Sequence, residues 1–416
     1  MTGAKAPLAL PLRQLAAVAA GNALEFYDFL IFGFFAVQIG KAFFPAAGDG
    51  GLLLTLATFG VGFLTRPLGG AVIGSLGDRA GRKPAMFLSF GLMGVSIVGL
   101  ALTPSYARIG FAAPLLAVLF RLLQGFALGG EVGPSTAFLM EAAPPGKRGF
   151  YISLQFATQQ SATLASGLVG LTLAQLMSPA ALADWGWRVA MLIGVTIVPV
   201  GLLMRARLPE TLIQRSQTAL PRLTRRELGL VLLAIFMLCA TTISTYVMNY
   251  MVTFGTATLG LAPRLAFGAV VATGICGTLF NPLGGWLADR FGFRKVMLTA
   301  MLAQLAAALP CFLLMAAFKT APILYACSAV LGTLLALSTP AVMLALSEGL
   351  PPSVRSGGIG IGYALSIAIF GGSAQFMVQW LTGVLHSPLA PGLYMSGALL
   401  VGITARLLLP LKTDVI

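Results

Sequence analysis

A chain of 416 residues that is 58% hydrophobic and only 9% charged is far from a soluble domain, in which about a quarter of residues carry charge. Its net charge of +14 could suggest nucleic acid, but the basic residues come in small groups between apolar runs, a membrane-topology pattern that argues against that partner. At about 20 apolar residues per crossing, the composition provides for roughly twelve membrane helices and leaves only short loops.

Hydropathy read between Gly, Pro and charge clusters predicts spans at 15–38, 52–76, 84–103, 112–140, 150–175, 187–206, 229–254, 265–288, 296–317, 322–346, 356–382 and 389–410. The first apolar stretch is too long for a cleavable signal peptide and has no small-residue cleavage pattern, so it reads as a permanent span. With the amino terminus in the cytoplasm, 19 of the 26 Lys and Arg fall on cytoplasmic segments and 5 outside. By the positive-inside rule both termini are then expected in the cytoplasm, in a bacterial inner membrane. The two remaining basic residues, Arg66 and Arg121, lie inside spans.

Span one carries Glu25 and Asp28 in an apolar run, and a charge at a bilayer centre costs roughly 2.5–3.5 kcal/mol on insertion scales. Span two carries Arg66 just before Pro67, whose ring removes a backbone hydrogen bond and loosens the helix. Span four carries Arg121 and Glu131. At a rise of about 1.5 Å per residue, all five fall in the middle half of the bilayer. They become tolerable if they share a hydrated cavity or pair with one another. Arg66 is the candidate for a substrate carboxylate, since guanidinium presents a planar fork to it. Arg121 is expected to be held by Asp28 until a proton releases it, with Glu25 and Glu131 as further candidate proton carriers.

Span five is the most polar, with Gln155 and Gln159 at helical spacing; span seven offers Tyr246 and Asn249; span eleven adds Tyr363. These large polar groups are expected to line the cavity from both halves, while isolated Ser and Thr are read as interhelical hydrogen bonds. Cys239, Cys276, Cys311 and Cys327 sit singly in four spans and are read as packing residues, and His386 as a solvated loop residue. The Gly357–Gly362 run and the Gly70-x-x-x-Gly74 and Gly125-x-x-x-Gly129 pairs are read as close helix packing rather than nucleotide loops. No P-loop stretch occurs, so the chain is expected to need no ATP, cofactor or metal and to be no enzyme.

The chain repeats itself. Gly74-Ser75-Leu76-Gly77-Asp78-Arg79-Ala80-Gly81-Arg82-Lys83 recurs 211 residues later as Gly285-Trp286-Leu287-Ala288-Asp289-Arg290-Phe291-Gly292-Phe293-Arg294-Lys295. Glu141 to Arg148 recurs 207 residues later at Glu348 to Arg355. Two six-helix units in the same orientation, 1–206 and 229–416, are expected, joined by a cytoplasmic linker at 207–228, with the substrate site between them.

Both repeated loops resemble the signature of the major facilitator superfamily, an all-α polytopic membrane fold of twelve helices. Gly21-Asn22-Ala23-Leu24-Glu25-Phe26-Tyr27-Asp28-Phe29, Arg66-Pro67-Leu68-Gly69-Gly70, Arg121-Leu122-Leu123-Gln124-Gly125 and Asp184-Trp185-Gly186-Trp187-Arg188 resemble its metabolite:proton symporter family. Gly149 to Gln160 and Ala368 to Gly372 look most like the citrate and tricarballylate branch. The resemblance implies a monomeric secondary transporter importing a di- or tricarboxylate with protons, coupled through the span-one acids and Arg121. Asp78, Arg79, Arg82, Asp289 and Arg290 are then gating residues, the aspartates meeting the amino ends of neighbouring helices to hold the cytoplasmic side shut. Import of another organic acid or a zwitterion (2-oxoglutarate, shikimate, betaine) is the alternative. A drug/proton antiporter fits less well, because buried arginines favour anions.

Overall fold

The computed structural model describes residues 26–45, 50–80, 82–129, 143–144, 146–206, 225–349 and 362–408, and these are almost entirely helical, with no strand among them. Each of the twelve predicted spans contains a helix. Span one is Phe26–Phe34 with Ala36–Phe43, bent by 68°. Span two is Gly50–Leu64 with Arg66–Ala80, span three Arg82–Leu102, span four Ala112–Leu128, span five Arg148–Leu176 and span six Trp187–Ala206. After the described gap come span seven Arg225–Asn249, span eight Pro263–Phe291, span nine Phe293–Phe318 and span ten Ala321–Gly349. Span eleven is Gly362–Leu385 and span twelve Ala390–Leu408. Seven of these helices are long and apolar enough to cross a membrane on their described residues alone, or eight if the bent pair counts as one.

Three differences from the expected boundaries have physical causes or limits. Span one runs on to Phe43 rather than 38, because Phe34, Phe35, Ile39 and Phe43 continue a buried apolar face beyond the bend. The described part of span four ends at Leu128, and Glu131 lies outside the described residues, as do Glu25, the 207–224 part of the linker and Gly357 to Ile361. Span two is interrupted at Thr65, where Pro67 weakens the ladder as expected; Thr65 sends its hydroxyl to Leu122 O of span four at 2.7 Å.

Glycines set how closely the spans approach. A Cβ built on Gly125 would lie 1.5 Å from Gly62 O, one on Gly69 1.8 Å from Phe126 O, and one on Gly129 2.0 Å from Arg66 O. Spans two and four therefore touch backbone to backbone, as small residues allow inside a bilayer. Gly74 is different: nothing lies within 4 Å of its Cβ position, so the packing role expected there is absent among the described residues. The most extensive pairing is span five with span eight, tight at Gly149–Gly285, Leu164–Gly274 and Gly170–Phe267. Spans two and eleven meet where a Cβ on Gly60 would lie 2.3 Å from Gly372 O. These contacts join the first six helices to the last six.

Most Ser and Thr hydroxyls bond carbonyls of their own helix, such as Thr55 to Gly51 O and Thr273 to Ala269 O. That departs from the interhelical role expected of them, and the reason is that a carbonyl one turn back is always in reach. Thr65, Ser89 with Ala127 O, Ser166 with Tyr27 O, and the Ser161–Thr278 and Thr242–Ser366 pairs are among the exceptions. Cys311 and Cys327, single in the sequence, face one another between spans nine and ten as free thiols. His386 is exposed in the loop before span twelve.

Candidate substrate and proton sites

The close packing of spans two and four brings Arg66 and Arg121 to one aromatic cluster. The Arg66 guanidinium lies 4.5 Å from the Phe29 ring centre and 4.3 Å from that of Phe63. The Arg121 guanidinium lies 4.5 Å from Phe29, 4.6 Å from Phe32 and 5.0 Å from Phe59. Phe29 thus carries both cations, and the ring faces offset part of the cost of removing them from water. Phe29, Phe59 and Phe63 also pack on one another, with centroids 4.7–5.5 Å apart.

Arg121 is fully buried. It donates to Gln124 Oε1 at 2.5 Å, one turn along its own helix, and to Phe59 O at 3.1 Å. Both partners are neutral. The expected pair with Asp28 is not formed: both Asp28 carboxylate oxygens are buried without a hydrogen-bond partner among the described residues. Asp28 faces span six instead, where a Cβ on Gly194 would fall 1.6 Å from its Oδ1. Its neighbour Tyr27 donates to Ala190 O of span six at 3.2 Å. Adjacent residues on a helix point about 100° apart, so Phe29 faces the arginines while Asp28 faces away.

The last six helices close the cluster. Tyr246 of span seven packs edge-on against Phe63 and Phe59, with centroids 5.4 and 6.2 Å apart, near enough to feel the charge of Arg66 and Arg121. Tyr363 of span eleven lies beside Tyr246 and close to the Gln159 side chain of span five. The wide helical turn at Ile367–Gly371 makes room here, since a Cβ on Gly371 would sit 2.7 Å from the Tyr246 ring. Gln155 and Asn249 are buried on spans five and seven. Arg66, Arg121, Tyr246, Tyr363 and Gln159 are therefore brought together, and Asp28 stands apart.

In the second copy of the repeated loop, Asp289 at the end of span eight accepts from the Gly149 and Phe150 backbone N–H groups at 2.7 and 2.9 Å. It caps the amino end of span five, where free N–H groups and the helix dipole favour a carboxylate. This is the contact expected of the repeated loops, made here by the second copy. Arg290 is exposed and lies over Trp286 and Phe291, 5.2 and 5.6 Å from their ring centres. Arg79 is exposed, and the side chains of Asp78 and Arg82 lie outside what the structure describes. Arg188 is structural: its Nη1 caps span three through Ala101 O and Thr103 O, both at 2.6 Å.

The phenylalanine cluster is what sequence reasoning missed. Its signal was the i, i+4 pair Phe59 and Phe63 opposite Phe29 and Phe32, within helical reach of Arg66.

Helices in every predicted span, a repeated sequence and two cations on one aromatic cluster, Arg121 fully buried and Arg66 half-buried, mark a polytopic membrane transporter. The sequence profile of the Major Facilitator Superfamily matches residues 18–374, and the chain belongs to that superfamily. It is 35% identical to a citrate-proton symporter of Klebsiella pneumoniae over 93% of this chain and 89% of that protein. It is 34% identical to an alpha-ketoglutarate permease of Escherichia coli (88% and 86%), and 30% to a proline/betaine transporter of the same species (94% and 82%). A D-xylose-proton symporter superposes with a TM-score of 0.77 at 18% identity, covering 96% of this chain and 98% of that one, which shows the shared twelve-helix fold.

Proposed function

We propose that the chain imports a di- or tricarboxylate, citrate-like, in symport with protons by alternating access between its two six-helix halves. The observation that carries this is Arg121: a fully buried guanidinium whose hydrogen bonds among the described residues go to an amide and a carbonyl. A buried cation held by neutral groups is satisfied best by an anion that comes and goes. The likeness to a citrate-proton symporter across 93% of the chain supports the same cargo.

Arg66 and Arg121 would grip the carboxylates, and Tyr246, Tyr363, Gln155, Gln159 and Asn249 would supply the remaining contacts from both halves. Asp28 would carry the proton away from the arginines, against span six. An ionised carboxylate without a partner in that place is costly, so a proton there lets spans one and six stay packed while the acid is held. Coupling then runs through span one, which carries both Asp28 and the Phe29 ring beneath the arginines. Asp289 and the other loop residues would keep the cytoplasmic side closed, with both termini in the cytoplasm of a bacterial inner membrane.

A zwitterion such as betaine is less favoured by this site. The aromatic faces that would receive its quaternary ammonium are covered by the two guanidiniums.

Proteoliposomes with an imposed inward proton gradient test the reading. Labelled citrate should accumulate, and excess tricarballylate should compete. Outward movement, or failure of every di- and tricarboxylate to compete with any cargo, would overturn it.

A further inference from the structure

We infer that Gln375 of span eleven recognises a hydroxyl group on the transported acid. This deepens the carboxylate reading above and rests on it. Gln375 is 1% exposed, and neither its Oε1 nor its Nε2 has a hydrogen-bond partner among the described residues. Its amide points across the boundary between the halves at span one: a Cβ on Gly33 would lie 3.4 Å from Oε1 and 3.5 Å from Nε2. The same Cβ position is 3.3 Å from the Phe59 ring, the ring that also lies under Arg121. Gln375 thus borders the cation cluster from the other half of the molecule.

Its neighbours show that the unmet amide is exceptional. Three residues earlier Gly372 meets Gly60 backbone to backbone, and one turn later Gln379 Oε1 accepts from Tyr250 at 2.5 Å. Gln124, another amide at the cluster, is held by Arg121, and Gln159 leaves only its Nε2 unmet. A buried amide with both ends unmet is costly unless a ligand completes it.

The chemistry of the amide then names what it reads. Guanidinium groups only donate, and ionised carboxylates only accept. An amide also offers an acceptor, which a fully ionised acid does not need but an O–H group does. At pH 7 the carboxyls of such an acid are predominantly ionised, so the O–H that every molecule carries is a hydroxyl. Oε1 accepts from it and Nε2 donates to its oxygen or to the adjacent carboxylate. Because Gln375 belongs to the last six helices and the arginines to the first six, a hydroxy acid held by both draws the halves together.

Citrate and tricarballylate carry the same three carboxylates and differ in one hydroxyl, so they isolate the effect. Affinities of both for the purified full-length protein would be measured by titration calorimetry at pH 7, in wild type, Gln375→Leu and Gln375→Met. Sites built to bond a hydroxyl discriminate strongly against analogues that lack it. Citrate affinity should therefore fall at least tenfold in both variants and tricarballylate affinity less than twofold. The Met variant keeps the side-chain length, so a folding defect confined to Leu leaves the test intact. If both acids weaken equally, or neither weakens, hydroxyl recognition by Gln375 is wrong while the carboxylate reading stands. If wild type binds neither acid, the citrate-like cargo on which this inference rests is itself wrong.

Discussion

Replacing Asp289 by Asn tests whether the cap on span five holds this end of the molecule closed. The carboxylate accepts two backbone N–H bonds, at 2.7 and 2.9 Å. Bonds to a charged group are worth about 1.5–3 kcal/mol each, and Asp289 is partly exposed, which favours the low end. Asn keeps one acceptor, loses the second bond and turns a donor amine toward the helix end, so the closed state should lose about 2 kcal/mol. At 1.4 kcal/mol per tenfold, the ratio of closed to open molecules falls about 30-fold. Spin labels on cysteines placed at Lys147 and Phe291, both exposed, would report the separation of spans five and eight by electron–electron resonance. The Asn variant should show a longer-distance population that wild type lacks. Gly149→Ala should produce the same population without touching a charge, because its Cβ would lie 2.6 Å from Gly285 O. Unchanged distances in both variants would show that this contact is not a gate.

Three further outcomes are expected. Gly125→Ala forces spans two and four apart, since its Cβ would meet Gly62 O; overpacking against backbone costs about 3 kcal/mol, and the melting temperature of the purified protein should drop measurably. Phe29→Ala removes the ring shared by both guanidiniums, a loss of about 1–2 kcal/mol, so KM for citrate uptake should rise roughly tenfold while the protein remains folded. Asp28→Asn should still exchange substrate across the membrane but should not accumulate it uphill; normal accumulation would move the proton to Glu25 or Glu131.

Much of the fold was legible because membrane insertion is a one-dimensional constraint. Apolar length and the repeat of Asp78-Arg79 at Asp289-Arg290 both read directly along the chain. The break at Pro67 and the close approach at Gly125 and Gly129 were legible for the same reason, since backbone geometry at Pro and Gly is local. Direction around a helix was harder. Counting residues from a span end gave Asp28 and Arg121 similar depths, and depth alone suggested a pair. Which way each points depends on the neighbours it packs against: Phe29, one residue on, took the place beside Arg121, and Gly194 left room for the Asp28 carboxylate at span six. Phe59 and Phe63 escaped notice because phenylalanine in an apolar run reads as filler, and its use as a seat for a cation shows only when Arg66 and Arg121 are placed over it. That the Gln375 amide is unmet is a property of packing between the halves.

The central claim is that Arg66 and Arg121 together hold the anion, with the proton kept elsewhere. Equilibrium binding of labelled citrate to purified protein, in wild type, Arg66→Gln, Arg121→Gln and Asp28→Asn, tests it most directly. Either arginine variant should lose more than about 100-fold in affinity, as expected when a charge-assisted, bidentate contact to carboxylate is removed, while Asp28→Asn should bind citrate within a few-fold of wild type. Near-normal binding by either arginine variant, or loss of binding in Asp28→Asn as deep as theirs, would contradict it.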